Sequence, residues 1–240
     1  MSYPLFNTLP DKTWFYFVRH GESESNRAGR VQGHSNSSLT DDGIRHAEAA
    51  GKWFSDKGID AFYTSPLDRT RETACIIGDQ LRGLELKILD DLIELDTGAL
   101  SGRRVRDLEF EDPELHRMFS VHSWEVIPGA ESIPSLYARA LRIWESLILR
   151  AQAGARKILC VTHGGTLQWI LKSTIAGERH AWMPVFPAHN CGIFLFTAES
   201  TSLEHDAPVD PETGFYGSWD LINHLPYPRT DSLPDPVSRG

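Results

Sequence analysis

The sequence predicts an α/β protein, a three-layer α/β/α sandwich around a mostly parallel central sheet. Three observations carry the prediction. Short apolar, β-rich runs alternate with longer stretches of helical periodicity along most of the chain. The leading run is apolar at consecutive positions, as a strand buried on both faces is. Polar clusters directly follow three of the runs, and in a parallel sheet the carboxyl ends of strands share one edge.

Trp14–Arg19 (WFYFVR) is the first predicted strand, and it ends at His20-Gly21. Residues 23–38 are polar and rich in Ser, Asn and Gly, so they read as a loop. Thr40 can cap a helix reaching about Lys57, with Ile44, Ala47, Gly51 and Phe54 on one face and Gly58 at its end. Ala61–Thr64 is a second strand. Ser65-Pro66 has the chemistry of an N-cap followed by proline at the first helical position, and Ala74, Ile77 and Leu81 share a face of that helix. Leu86–Leu89 is a third strand candidate. Ile133–Ala153 is a long helix with Ile133, Tyr137, Ala140, Trp144 and Leu147 on its apolar face. Lys157–Val161 is the fourth strand, followed by Thr162-His163-Gly164-Gly165 and another helix, and Cys191–Phe196 is the fifth. Residues 1–197 are assigned to this domain. Residues 198–240 hold six of the fourteen prolines and read as an extended tail, with Trp219, Leu221, Ile222 and Leu225 available to pack back.

The bulk numbers exclude some classes. A chain of 240 residues with 40% hydrophobic and 24% charged residues is ordinary for a globular protein. A net charge of −9 argues against a general nucleic-acid binder, yet a small basic pocket can still take an anion. No apolar run is long enough to span a membrane, and the N-terminus lacks the pattern of a secretory signal. The three cysteines, Cys75, Cys160 and Cys191, are odd in number and widely spaced, which suggests unbridged thiols and a cytoplasmic setting. Nothing in the sequence sets the oligomeric state, and a homodimer is allowed.

The strand ends bring Arg19, His20, Arg69 and His163 toward one edge, although 163 − 20 = 143 positions separate the two histidines. Two arginines and two histidines in one pocket make an anion site, and helix N-termini after Ser65 and Gly165 would add positive potential. No histidine pair has a spacing that demands a metal.

Seven segments then carry a resemblance. They are Arg19–Asn26 (RHGESESN), Gln32-Gly33, Leu39–Gly43 (LTDDG), Ser65–Ala74 (SPLDRTRETA), Glu94–Gly102 (ELDTGALSG), Pro128–Ser132 (PGAES) and Val161–Gly165 (VTHGG). In this order they resemble the histidine phosphatase superfamily, the group of the cofactor-dependent phosphoglycerate mutases and broad-specificity phosphatases. The resemblance spans roughly residues 13–196 and leaves the tail uncovered. It implies that His20 is the phosphorylated nucleophile and that Arg19, Arg69 and His163 hold the phosphoryl oxygens. Asn26, Gln32, Gly33 and Gly164 would line the same pocket, and Glu94 stands where the family places its proton donor. The sequence departs from the pattern at Gly129-Ala130, where many members have two glycines. It also has Leu95-Asp96 after the acid, where the mutases have Arg-His.

These residue types suit the chemistry. A neutral imidazole attacks a phosphate dianion without the repulsion an anionic nucleophile meets. Guanidinium forks match the charge spread over the phosphoryl oxygens. A carboxylic acid is wanted where a poor alkoxide leaves. The scheme requires no metal or cofactor, and its partner is a small-molecule phosphate ester. The leading reading is a phosphomonoester hydrolase. A phosphoglycerate mutase is the first alternative, disfavoured because Glu94 to Glu131 spans only 131 − 94 = 37 positions, little room for a lid that shelters a phosphoenzyme. A non-catalytic binding module on the same fold would have lost the nucleophile or an arginine, and a zinc site at His20 and His163 would be repelled by the arginines. Arg103, Arg104 and Arg106 read as a solvated patch. His122, His189 and Trp124 lie in segments that can border the pocket.

Overall fold

The structure is a computed structural model that describes residues 5–121, 126–175, 186–200 and 214–228. The strands are β1 (Thr13–Arg19), β2 (Ala61–Thr64), β3 (Leu86–Ile88), β4 (Lys157–Thr162), β5 (Ile193–Ser200) and β6 (Phe215–His224). The helices are α1 (Glu24–Arg27), α2 (Asp41–Phe54), α3 (Asp68–Gly78), α4 (Leu108–Glu111), α5 (Pro113–Val121), α6 (Ile133–Gln152) and α7 (Gly164–Ile175). The six strands form one sheet in the order β3-β2-β4-β1-β5-β6. The first four are mutually parallel, whereas β5 runs antiparallel to β1 and β6 antiparallel to β5.

Pleating sends alternate side chains of each strand to opposite faces. Along β1, Phe15 and Phe17 enter one apolar cluster while Tyr16 and Val18 enter the other. The first cluster takes Ile143, Trp144 and Leu147 from α6 and Leu167 and Ile170 from α7. The second takes Ala47, Ala50 and Phe54 from α2 and Ala74 and Ile77 from α3. The sheet is therefore covered on both faces, which is the predicted three-layer arrangement. Trp144 centres the first cluster, its ring edge-on to Phe6, Phe15 and Phe17 at 5.0–5.4 Å. A fully buried indole needs a partner for its N–H, and Nε1 donates to Ser173 Oγ at 3.0 Å.

Local signals mostly placed the helices well. Thr40 caps α2 by accepting from Gly43 N at 3.0 Å, and Ser132 caps α6, with Pro134 in its first turn. Two expectations are corrected. Residues 24–27 are helical rather than loop, because Ser23 and Asn26 form a capping box that closes a turn within a polar segment. Ser65 is not an N-cap. The helix starts at Asp68 with Leu67 in the cap position and no side-chain cap, and the Ser65 hydroxyl turns instead to His163.

The expected domain boundary at 197 falls inside β5, and the described part of the tail supplies the sixth strand. Trp219 packs against the first cluster and Leu221 against the second, while Ile222 is exposed. Among the described residues, no helix is long and apolar enough to cross a membrane. All three cysteines are unbridged, Cys75 exposed and the other two buried.

Candidate active site

The sheet order makes β2, β4 and β1 neighbours, so the polar clusters at their carboxyl ends meet. The ladder continues past each strand. His20 N donates to Thr162 O at 2.9 Å and Ser65 N to Val161 O at 3.0 Å. Backbone pairing thus fixes where His20 and His163 begin. Their ring centroids lie 5.2 Å apart.

A cavity of about 300 Å³ opens beside them. Arg19, His20, Asn26, Gln32, Gly33, Arg69, Glu94 and Gly164 all line it. Of the predicted site residues only His163 does not; it is fully buried against His20. Leu95, one of the two residues that depart from the mutase pattern, is also in the wall, as are Arg30 and Thr97, which the sequence did not single out.

His20 is 2% exposed, and its Nδ1 lies 2.7 Å from Gly21 O. A carbonyl only accepts, so Nδ1 carries the proton and Nε2 keeps its lone pair. Arg69 Nε–H points at that lone pair from 3.3 Å. Burial, then Arg19, then Arg69 hold the imidazole well below its usual range. Gly21 lets this turn pack tightly, since a Cβ there would sit 2.6 Å from Gly43 O.

Arg69 is almost fully buried and tethered by its fork. NH1 donates to Ser35 O and NH2 to Gly33 O, each at 2.8 Å. Burial pushes its guanidinium down to about 10. With its contact to His20, three of the five guanidinium hydrogens are placed, leaving two for a ligand. Arg19 NH1 donates to Ala188 O at 2.6 Å, and its buried Nε has no partner.

His163 Nε2 meets Ser65 Oγ at 2.7 Å, and its buried Nδ1 is unpartnered. Burial, then His20, Arg69 and Arg19 hold it well below the usual imidazole range. It therefore stands beside His20 as a neutral group.

Glu94 also lines the cavity. Its Oε1 accepts from Leu95 N at 2.9 Å and Thr166 N at 3.1 Å, and Gly165 N lies 3.4 Å from Oε2. The carboxylate thus occupies the N-terminus of α7, so those amides serve Glu94 rather than an anion directly. A Cβ at Gly165 would lie 2.1 Å from Leu95 Cδ2 and 2.7 Å from Glu94 Oε1, so any side chain there would displace Leu95 and Glu94. Arg139, 6% exposed, fixes the loop from behind. Its NH1 donates to Asp91 O and Ile93 O, while Nε and NH2 clasp both oxygens of Glu131. Ala99 N→Pro128 O and Glu131 N→Asp96 O join the two motifs around it. The acidic residues of the neighbouring motifs are engaged elsewhere: Glu22 accepts from Arg27 and Thr40, Glu131 accepts from Arg139, and neither lines the cavity.

Asn26 Oδ1 accepts from Ser23 N, Ser23 Oγ and Asn190 Nδ2. Gln32 Nε2 donates to Ser23 Oγ at 2.8 Å. Asn190 was missed by sequence reading; its only signal is a place just before a strand. Arg103 pairs with Asp112 and Glu111, and none of Arg103, Arg104 and Arg106 lines the cavity. His34 bonds Glu94 O, and His189 lies against Asn223. His122 and Trp124 lie outside the described residues. Among the described residues, no group of three or more His, Cys, Asp or Glu side chains is arranged to hold a metal ion.

The comparisons agree with this geometry. The family profile described as histidine phosphatase superfamily (branch 1) matches residues 15–207. A probable phosphoglycerate mutase, GpmB, of Yersinia pestis (strain Pestoides F) is 35% identical over 167 residues, covering 69% of this chain and 76% of the relative. A crystal structure of a putative alpha-ribazole-5'-P phosphatase from Escherichia coli matches with TM-score 0.70 at 22% identity, covering 89% of this chain and 97% of that one. A phosphoglycerate mutase from Bacillus anthracis matches with TM-score 0.70 at 18% identity, covering 90% and 94%. The two structural likenesses speak for the fold, and the profile covers most of the chain. On that match, with its strand ends converging as described, the chain belongs to the histidine phosphatase superfamily.

Proposed function

We propose that the protein is a phosphomonoester hydrolase acting on a small phosphate ester through a phosphohistidine at His20. The observation that supports this most is the state of His20. It is buried and neutral, its Nδ1 proton is held by Gly21 O, and its Nε2 lone pair faces a cavity beside two arginines. That is the form a nitrogen nucleophile needs. Arg69 releases Nε2 as phosphorus arrives, and its two remaining N–H groups, with Arg19 Nε–H, take the phosphoryl oxygens. His163 supports them as a neutral donor. The Ser65 hydroxyl donates to its Nε2, which leaves the proton on Nδ1.

Glu94 protonates the leaving oxygen. Oε1 is committed to two amides, so Oε2, with only the long contact to Gly165 N, carries the proton. Once the alcohol has gone, the same oxygen takes a proton from the water that attacks phosphorus, and the P–N bond breaks with the electron pair returning to His20. The arginines supply the positive potential, so we expect activity without a divalent metal. The three unbridged thiols support a cytoplasmic setting.

The relatives named as mutases favour a second reading, phosphoglycerate mutase. The segment between Glu94 and Glu131 weighs against it. Its described helices, α4 and α5, close on a small core of their own through Leu108 and Leu115 with Leu100 and Ile127. None of their described side chains lines the cavity. A mutase has to shelter its phosphoenzyme from water.

The test is a panel of phosphate esters, including 2- and 3-phosphoglycerate, assayed with and without EDTA. Hydrolysis that survives EDTA and exceeds isomerisation is expected. Turnover dominated by isomerisation makes the mutase reading correct, and activity restored only by a divalent metal overturns the mechanism.

A further inference from the structure

We infer that the tail strand β6 is part of the catalytic apparatus, and that Asn190, Asn223 and Tyr227 are positioning residues for His20 and Arg19. The inference rests on the reading of His20 as nucleophile.

The loop at 188–192 touches the reactive strand end. Asn190 Nδ2 donates to His20 O at 3.0 Å and to Asn26 Oδ1 at 3.2 Å. Cys191 N donates to Arg19 O at 2.9 Å, and Ala188 O receives Arg19 NH1. One short loop therefore sets the backbone of the nucleophile, one pocket amide and one phosphate-facing arginine. A loop by itself is a poor template for such a task. This one is held by the tail.

Two contacts do the holding. Asn223 Oδ1 accepts from His189 N at 2.8 Å, and its amide nitrogen lies against His189 Nδ1. Tyr227 OH donates to Asn190 O. The Tyr227 ring is in turn stacked on His46 of α2, with centroids 3.7 Å apart and planes within 8°. The chain is shaped for this. Register slips between β5 and β6 on either side of Leu195, so the 193–195 pairing has an extra residue on β6. A bulge of this kind re-aims a side chain away from the ladder. Asn223 sits there at φ 59, a left-handed conformation that Asn tolerates better than most residues. Gly192 leaves room for it, since a Cβ there would lie 2.4 Å from Asn223 Oδ1. Ladder pairing alone requires neither the bulge nor the left-handed residue nor the glycine clearance. All three place one amide against the loop behind His20.

The test uses the full chain and three small changes. Tyr227→Phe removes only the hydroxyl and keeps the ring on His46. Asn223→Gly keeps the left-handed backbone and removes the amide. Asn190→Ala removes the bond to His20 O. Each variant is assayed for kcat and KM on p-nitrophenyl phosphate, for thermal midpoint, and for the ¹⁵N shifts of the His20 ring, assigned against His20→Ala. Ile222→Ala, on the exposed face of β6, is the control. We expect kcat to fall by about 10-fold for Asn190→Ala and severalfold for the other two. KM should stay within about twofold, the midpoint within a few degrees, and the His20 shifts should move in all three but not in the control. If kcat and the His20 shifts stay at wild-type values in folded Tyr227→Phe and Asn223→Gly, or if loss of kcat simply follows the midpoint, the inference is overturned. The ring shifts decide the matter even where the wild type proves inactive on aryl phosphates. In that case the hydrolase reading fails while the brace is still tested.

Discussion

The two sides of the pocket are built differently. The nucleophile side grows out of the sheet: β1 and β4 are paired in register to Arg19 and Thr162, and the next residues on each are His20 and His163. The acid side has no strand under it. Glu94 hangs on a loop, held by the amides of α7 and by Arg139, which binds Ile93 O from a helix on one face of the sheet. Positions fixed by ladder bonds share the rigidity of the whole sheet. Positions fixed by a few side-chain bonds depend on each of those bonds. The nucleophile side should therefore keep its fold when its reactive groups are removed and depend on side-chain bonds only through the 188–192 loop, whereas the acid side depends throughout on residues that never touch substrate.

The largest expected effect tests the first half of this. His20→Ala removes the atom that takes the phosphoryl group, so all substrates should fail together, by on the order of 10⁴-fold or more. An unchanged thermal midpoint would show that the sheet keeps its geometry without the side chain. Retention of activity on any one ester would mean that the nucleophile lies elsewhere. Glu94→Gln comes next and separates the sides by leaving group. An alkyl phosphate should slow by about 10²–10⁴-fold. An aryl phosphate should lose far less in its phosphorylation step, since its phenolate leaves without a proton. Rapid-quench bursts on both substrates measure this. Equal loss of the burst on both removes Glu94 as the acid.

Arg69→Lys should cost on the order of 10²-fold in kcat/KM, because an ammonium cannot reproduce a fork that spans Ser35 O, Gly33 O and the substrate. Arg139→Met touches only the acid side. It leaves Glu131 without its buried partner, which should cost about 3 kcal/mol in urea unfolding. It should also slow alkyl esters by about 10-fold while sparing aryl esters, the pattern of Glu94→Gln in miniature. Equal slowing of both ester classes would mean that Arg139 supports the fold and not the acid.

The same contrast explains what could be read from the sequence. Arg19, His20 and His163 were legible because strand ends are local signals and a parallel sheet gathers them at one edge. Glu94 was legible only through resemblance, since no periodicity marks a residue held by amides of a distant helix. Ser65 was misread because Ser-Pro ahead of a helix has the chemistry of a cap, and only the three-dimensional arrangement reveals His163 as the competing partner. The α7 N-terminus was expected to face an anion and instead carries Glu94. The strand β6 was not legible. Its exposure does not alternate cleanly, its register slips twice, and its partner lies across fourteen intervening residues. Asn190 and Asn223 act through single side-chain bonds, which leave no pattern in the chain.

The smallest expected effect concerns stability and comes from the nucleophile side alone. Burial and the arginines hold His20 and His163 well below the ordinary imidazole value of 6.5. In the unfolded chain both take up protons as pH falls through about 6.5, whereas the folded protein does not. The unfolded state then binds more protons, so stability rises with pH up to about 6.5 and levels above it. Each such proton contributes a slope of about 1.4 kcal/mol per pH unit. Among the described residues, the carboxylates held low by ion pairs, Asp56 and Asp112, make stability fall at lower pH, below their ordinary value of 3.8, so the window from about pH 5 to 6.5 lies clear of them. His46 is also lowered by burial, so the wild-type slope has a third contributor and only a difference is diagnostic. His20→Asn should reduce the slope in urea unfolding by about one proton. It removes one depressed imidazole and leaves His163, which burial and the arginines still hold down. A slope unchanged by His20→Asn would mean that His20 is protonated in the folded protein at pH 5, and a protonated imidazole has no lone pair with which to attack phosphorus.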